Sequence, residues 1–230
     1  ASKGEGLGNQ FLANIRETDA IIHVLRCFDD DNIVHVDGSV DPVRDKEVID
    51  FELQLKDLYT VESKLNSLKR AVKSGDKELV KQYEYCEKIK AALEEGKPAR
   101  IVQPANETEE VILKELQLLT AKPVLYLCNV DEASVKTGNE YTEKIKPIAE
   151  AEGAEQLIIG TKIESDIAEF ETFEERQMFL DELGLEEAGV NRLIRSAYKL
   201  LNLQTYFTAG EKEVRAWTVG IGATAPQAAG

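Results

Sequence analysis

The chain has only two histidines, His23 and His35, three cysteines, one methionine and one tryptophan in 230 residues. With so few histidines, a His-based metal centre is not expected. Cys27, Cys86 and Cys128 lack metal-type spacing, and two of them lie in apolar, strand-like runs. They read as reduced thiols of a cytoplasmic protein. No apolar run approaches the ~20 residues that cross a bilayer, so no membrane association is expected. The opening segment, residues 1–10, is polar and glycine-rich rather than a signal peptide. Basic residues are scarce: 28 Lys and Arg stand against 43 Asp and Glu, a net charge of −15. That excludes an electrostatic grip on nucleic-acid phosphates by the chain as a whole, and no specific DNA partner is expected. A local basic patch is still allowed. G-x-x-x-x-G-K-[ST] is absent, and "GEGLG" at 4–8 lacks its Lys-Ser/Thr and follows no strand, so it is not read as a phosphate cradle. No catalytic residue and no metal ligand is assigned within the chain.

What is present is the texture of a globular α/β protein, 43% hydrophobic and 31% charged, in one large domain or two smaller ones. "NQFLANIRET" predicts an amphipathic helix with Phe11, Leu12 and Ile15 on one face, and "DAIIHVLRCF" a buried strand. Asp41 followed by Pro42 is a helix start. Beyond it Phe51, Leu58, Leu65 and Val72 recur every seven residues, with Val61 and Leu68 between them and Gln54 interrupting. "SGD" at 74–76 closes one helix and caps the next, which carries Leu79, Cys86 and Leu93. Each stripe needs a partner to bury it, so an antiparallel hairpin is expected over residues 45–95. Asn106 with Glu109 resembles a capping box opening a further helix. "PVLYLCN" and "EQLIIGT" read as buried parallel strands flanking a helix in which Pro147 predicts a kink or an early stop. Acidic helices follow, then "GVNRLIRSAYKLLN". From about 203 two β-type runs joined by "EK" fit a hairpin.

In a doubly wound sheet, ligands bind beyond the C-terminal ends of the strands. "KPVLYLCNVDE" places Asn129 at such an end, where its amide can address a purine edge. In the guanine-specific pattern Asn-Lys-x-Asp, the Asp accepts two N–H bonds from guanine. Here those positions read Asn129, Val130, Asp131, Glu132. Glu132 is one methylene too long, and Val130 removes the Lys stem. At the next strand end, Gly160, Thr161 and Lys162 stand where backbone amides can close over a base. On spacing alone, a nucleotide pocket and a strand end capped by polar residues both remain open.

The long stretches "ASKGEGLGNQFLANIRETDAIIHVLRCF", "DDDNIVHVDGSVDPVRDKEVIDFELQLKDL", "NVDE" and "VRAWTVGIGATAPQAAG" resemble the YchF (Obg-like ATPase) family of P-loop NTPases. The resemblance covers nearly the whole chain. It implies an α/β fold: part of a P-loop NTPase-type parallel sheet, an inserted antiparallel helical hairpin, and part of a β-rich TGS domain. The implied segments are 1–44 (NTPase core, first part), 45–120 (hairpin insertion), 121–202 (NTPase core with the base motifs) and 203–230 (start of the TGS domain). It implies ATP in preference to GTP, with Asn129, Val130, Asp131 and Glu132 at the base and Gly160, Thr161 and Lys162 as the fifth-motif loop. Gly4, Gly6 and Gly8 would end the switch II region. The phosphate loop and the Mg2+-binding residues would precede residue 1, so this chain alone is expected not to hydrolyse nucleotide. The implied partners are nucleotide and a ribosome, its RNA or its proteins, met through the hairpin and the TGS domain. Ten basic residues from Lys64 to Arg100 give that region a local positive excess. The competing reading is an interaction module with a vestigial nucleotide site.

Overall fold

A computed structural model describes residues 5–72 and 75–229. In chain order its elements are α1 (Glu5–Arg16), β1 (Ile21–Arg26), α2 (Pro42–Val72), α3 (Lys77–Glu94), α4 (Glu107–Leu116), β2 (Val124–Asn129), α5 (Glu140–Glu152), β3 (Glu155–Ile159), α6 (Thr161–Glu169), α7 (Phe173–Leu183), α8 (Gly189–Leu200), β4 (Leu203–Ala209), β5 (Val214–Gly220) and α9 (Ala225–Ala229). They fall into two compact units. One holds the chain up to Ile21 with Arg44–Pro123; the other holds Ile22–Val43 with the chain from Val124 onward. Ser2, Gly4, Lys73 and Ser74 lie outside the described residues.

The first unit is helical. The expected hairpin is present, made by α2 and α3. Gly75 turns the chain at φ +77°, a left-handed conformation glycine adopts without penalty. Asp76 then caps α3, accepting from the Glu78 and Leu79 N–H groups at 2.9 and 3.4 Å. The core joins Val61, Leu65 and Leu68 of α2 to Tyr85, Cys86, Ile89 and Leu93 of α3 and to Ile112 and Leu116 of α4. α4 therefore completes a three-helix core. The expected seam needs one correction: Phe51 is 59% exposed. The buried stripe of α2 runs instead through Leu53, Asp57, Val61, Leu65 and Leu68. Its spacing of four, four, four and three follows an ordinary helix rather than a strict heptad. Phe51 belongs to a second stripe with Val48, Leu55 and Tyr59, which is exposed. Gln54 donates to the Gly96 carbonyl at 3.0 Å. At α4, Asn106 caps the Glu109 N–H, but the Glu109 carboxylate reaches the Ala105 N–H, one residue before the position a capping box requires.

The second unit carries the sheet, in the order β1-β2-β3. β2 and β3 are parallel, with Asn129 opposite Ile159. Beside β1, Ile21 N–H donates to Pro123 and Cys27 N–H to Asn129, a constant offset that makes this pair parallel as well. β2 is buried on both faces as its apolar run predicts. β1 is not: Ile22 and Val24 are 42% and 57% exposed, so the strand lies at an edge with one face open. α5 starts at Asn139 with a full capping box and runs through Pro147 to Gly153, so the proline does not stop it. β4 and β5 pair antiparallel from Leu203–Gly220 to Ala209–Val214. The hairpin leaves Phe207, Val214 and Trp217 exposed.

Candidate nucleotide-base site

Two loops leave the C-terminal ends of adjacent parallel strands, and Asn129 ties them together. Its backbone carbonyl accepts from Cys27 N–H at 2.8 Å, on the β1 side. Its side-chain oxygen accepts from Thr161 N–H at 3.0 Å, on the β3 side. With both oxygens engaged, the carboxamide retains its two N–H donors, which have no partner among the described residues. The residual function is therefore that of a donor, the half of the amide that meets a ring nitrogen such as purine N7.

Val130 is buried, and its N–H continues the ladder to the Ile159 carbonyl at 2.9 Å. That N–H cannot read a ligand, whereas the Val130 carbonyl remains an acceptor. Asp131 begins a 3-10 turn over Glu132–Ser134, and one of its carboxylate oxygens accepts from Ser134 N–H at 2.9 Å. Glu132 is exposed. Gly160 is buried just before α6. A Cβ there would stand 3.1 Å from Ile163 Cδ1, a tight contact within the same segment, and 3.6 Å from the Val130 carbonyl oxygen, an ordinary one. Thr161 and Lys162 are exposed in the first turn of α6. The structure thus brings Asn129, Val130, Gly160 and Thr161 together. It leaves Asp131 as a turn cap, with Glu132 and Lys162 at the surface. Gly6 and Gly8 lie inside α1, so that stretch is helical.

Asn139 is a residue the sequence analysis missed. Its Nδ2 donates to the Cys27 carbonyl at 2.7 Å, while its Oδ1 caps Tyr141 and Thr142 N–H at 3.1 and 3.2 Å. It anchors the loop after β1 to the start of α5. Tyr141 adds a bond of 2.8 Å to the Asp29 carboxylate, and this acceptor raises the phenol above its ordinary value. The signal was legible: an Asn followed three residues later by Thr before a helix is a capping pattern.

All three cysteines are buried free thiols. Cys27 is raised, chiefly by its bond to Cys128 and then by burial; Cys128 also accepts from Gln156 Nε2 at 3.3 Å. Cys86 is pushed up to about 11 by burial. Cys128 is lowered, chiefly by its bond from Cys27, with burial opposing; Cys27 and Cys86, both raised, lack the character of nucleophiles.

Parallel strands with paired loops at their C-terminal ends define an α/β protein with a candidate ligand site at those ends. Comparison with known proteins narrows this. Residues 203–230 match the family model YchF-GTPase_C, described as "Protein of unknown function (DUF933)". The chain is 52% identical over 232 residues to the "Ribosome-binding ATPase YchF" of Bacillus subtilis (strain 168) and 51% identical over 230 residues to that of Escherichia coli O157:H7. Each match covers 100% of this chain, and 63% and 62% of the relative. The solved structure of the Schizosaccharomyces pombe YchF GTPase matches with a TM-score of 0.86 at 39% identity, over 100% of this chain and 62% of that one. Over its whole length the chain is homologous to these YchF proteins, and it spans somewhat less than two thirds of their length.

Proposed function

We propose that this chain supplies the base-binding half of the nucleotide site in a ribosome-associated regulatory ATPase. The observation that carries the reading is the Asn129 clamp: one side chain closes the two strand-end loops and presents only donors. The residues present fit a purine base, with Asn129 Nδ2 meeting a ring nitrogen and the Val130 carbonyl accepting from an amino group. Adenine offers such an amino group, whereas guanine presents a carbonyl at the equivalent position. The base site therefore favours ATP over GTP, and the Glu132 position, with its extra methylene, does not restore the guanine contact. The relatives' names point both ways, "ATPase" for two and "GTPase" for the third, so nucleotide choice is a question for measurement. Mg2+ and the phosphates fall to residues outside this chain, which alone hydrolyses nothing, since phosphoryl transfer is mainly positioning and charge stabilisation around those groups.

On this reading, 1–44 and 121–202 form one NTPase core, 45–120 the inserted hairpin and 203–230 the start of the TGS domain. Gly4, Gly6 and Gly8 end the switch II region, and the protein works in the cytoplasm. Competition binding on the whole protein with ATP and GTP tests the reading. Asn129→Ala is expected to weaken ATP binding by about tenfold or more, because it removes the donor and frees Thr161 N–H together. Glu132→Asp, at an exposed position, is expected to regain part of the GTP affinity. Val130 is buried, so placing Lys there would test folding instead. A strong GTP preference in the unaltered protein, or ATP binding undiminished by Asn129→Ala, sinks the proposal.

The ribosome contact is placed on the hairpin tip. Five of the ten basic residues of this region are already paired: Lys64 with Glu115 at 2.7 Å, Lys81 with Glu78 at 3.1 Å, Lys88 with Glu109 at 3.8 Å, Lys90 with Glu62 at 3.1 Å, and Lys97 with Glu95 at 2.7 Å. Among the described residues Lys69, Arg70 and Lys77 are exposed and have no ion pair. They flank the turn at Gly75, where three cations can meet RNA phosphates.

A further inference from the structure

The segment from Thr161 to Ala188 has ten carboxylates and two basic residues, a concentration of negative charge well above the chain average. It also borders a cavity of about 670 Å³ between α6, α7 and α8. Its apolar lining includes Ile167, Phe173, Leu180 and Val190. Leu180 and Ile167 form a buried floor, while Phe173 is 74% exposed and Val190 45%. Large apolar side chains held at an open, concave edge mark an interaction site more than a stable surface.

The polar groups of the groove show which charge it favours. Glu164 is occupied, accepting from the Gly189 and Val190 N–H groups at 2.7 and 3.0 Å. Arg176, the one cation in the lining, is turned onto the Phe170 carbonyl by bonds from Nε at 3.1 Å and Nη2 at 2.8 Å. Glu187 is bonded to Arg195. Glu186 stays exposed at the lip, and Glu169, Glu171, Glu174, Asp181 and Glu182 are exposed in the same helices and the turn between them.

We propose that the α6–α8 groove docks a basic amphipathic peptide segment of a partner protein. One or two large apolar side chains of that segment enter beside Phe173 and Val190, and flanking Lys or Arg side chains face the acidic lip. The commitment to a basic partner rests on charge complementarity. An acidic or neutral helix would bring like charge to the lip, or leave its carboxylates unanswered. The site is separate from the base site and does not depend on that reading.

The probe is a labelled 14-residue helical peptide of Leu and Lys with Leu at i, i+3, i+4 and i+7. It is titrated into the whole protein at physiological salt and followed by fluorescence anisotropy. A peptide of the same composition with the pattern scrambled, and a Leu–Glu peptide, serve as comparisons. Binding of the patterned Leu–Lys peptide alone is expected. Phe173→Ser, at an exposed position that folding does not need, is expected to weaken it about tenfold, and Glu186→Lys with Glu174→Lys by a similar factor. Equal binding of the scrambled peptide overturns the proposal, since it shows attraction to net charge only. Binding undiminished by Phe173→Ser overturns it too. So does self-association of the protein that Phe173→Ser abolishes, which would make a second copy the occupant.

Discussion

Asp57 shows how one residue organises a unit without touching a ligand. It sits on the buried stripe of α2, fully enclosed, and its carboxylate accepts from Leu119 N–H at 2.8 Å and from Thr120 N–H and Thr120 Oγ1–H at 2.7 Å each. Thr120 Oγ1 in turn accepts from Ala99 N–H at 2.9 Å, so the chain on either side of α4 is pinned to α2. Burial is the largest influence on this carboxyl and raises it above its ordinary value of 3.8, although the donors partly offset it. A carboxyl raised by folding favours the folded state most below its unfolded value. That contribution is lost as the pH climbs from 3.8 through the raised folded value. Asp57→Asn keeps the shape but turns an amide N–H toward donors. It is expected to cost about 1–3 kcal/mol near the low end of that window and less above it. Denaturant titrations of both proteins at several pH values check this; a difference that grows with pH contradicts it. In sequence the only trace of Asp57 is an acid falling in step with Leu53 and Val61. At the base site Asn129 could be found from its place after an apolar run, but its state could not. Which oxygen is engaged, and that Val130 N–H is unavailable, depend on the register with β3.

At the scale of elements, α2 carries two apolar stripes, and only one is used inside its unit. Sequence spacing marked both Phe51 and Leu65 as seam residues. The helix turns 100° per residue, so a strict seven-residue series drifts around it, and the partner decides where the seam lies. Ile89→Ala, which empties a fully buried site, is expected to cost about 2–4 kcal/mol. Phe51→Ser is expected to stay within about 0.5 kcal/mol of the unaltered protein. Thermal unfolding of both variants separates the cases, and comparable losses would place Phe51 back in the core. The same dependence on a partner explains β1. Its β-branched residues announce a strand correctly, yet whether a strand is central or at an edge is settled by what lies beside it.

At the scale of the whole molecule, charge is sorted rather than spread. The net −15 hides a hairpin tip at which, among the described residues, Lys69, Arg70 and Lys77 are exposed and have no ion pair. Reversing Lys69 and Arg70 to Glu is expected to weaken ribosome co-sedimentation severalfold and to flatten its dependence on salt, since phosphate contacts release counterions. Reversing Lys64 and Lys90 instead breaks existing pairs with Glu115 and Glu62 and is expected to act mainly on hairpin stability. Unchanged sedimentation in the tip variant would move the contact to the β4–β5 hairpin.

Element types and their order were legible along the chain, because periodicity, caps and turns are local. Asp41–Pro42, Gly75–Asp76 and the apolar run into Asn129 each act within a few residues. Tertiary structure alone decided what those residues contact. The pairing of Asn129 with Thr161, the burial of Asp57 against Thr120, the hold of Asn139 on the Cys27 carbonyl and the pairing of Lys64 with Glu115 all join positions far apart in the chain. Such contacts form only when the elements pack, and no local pattern encodes which partner each group will meet.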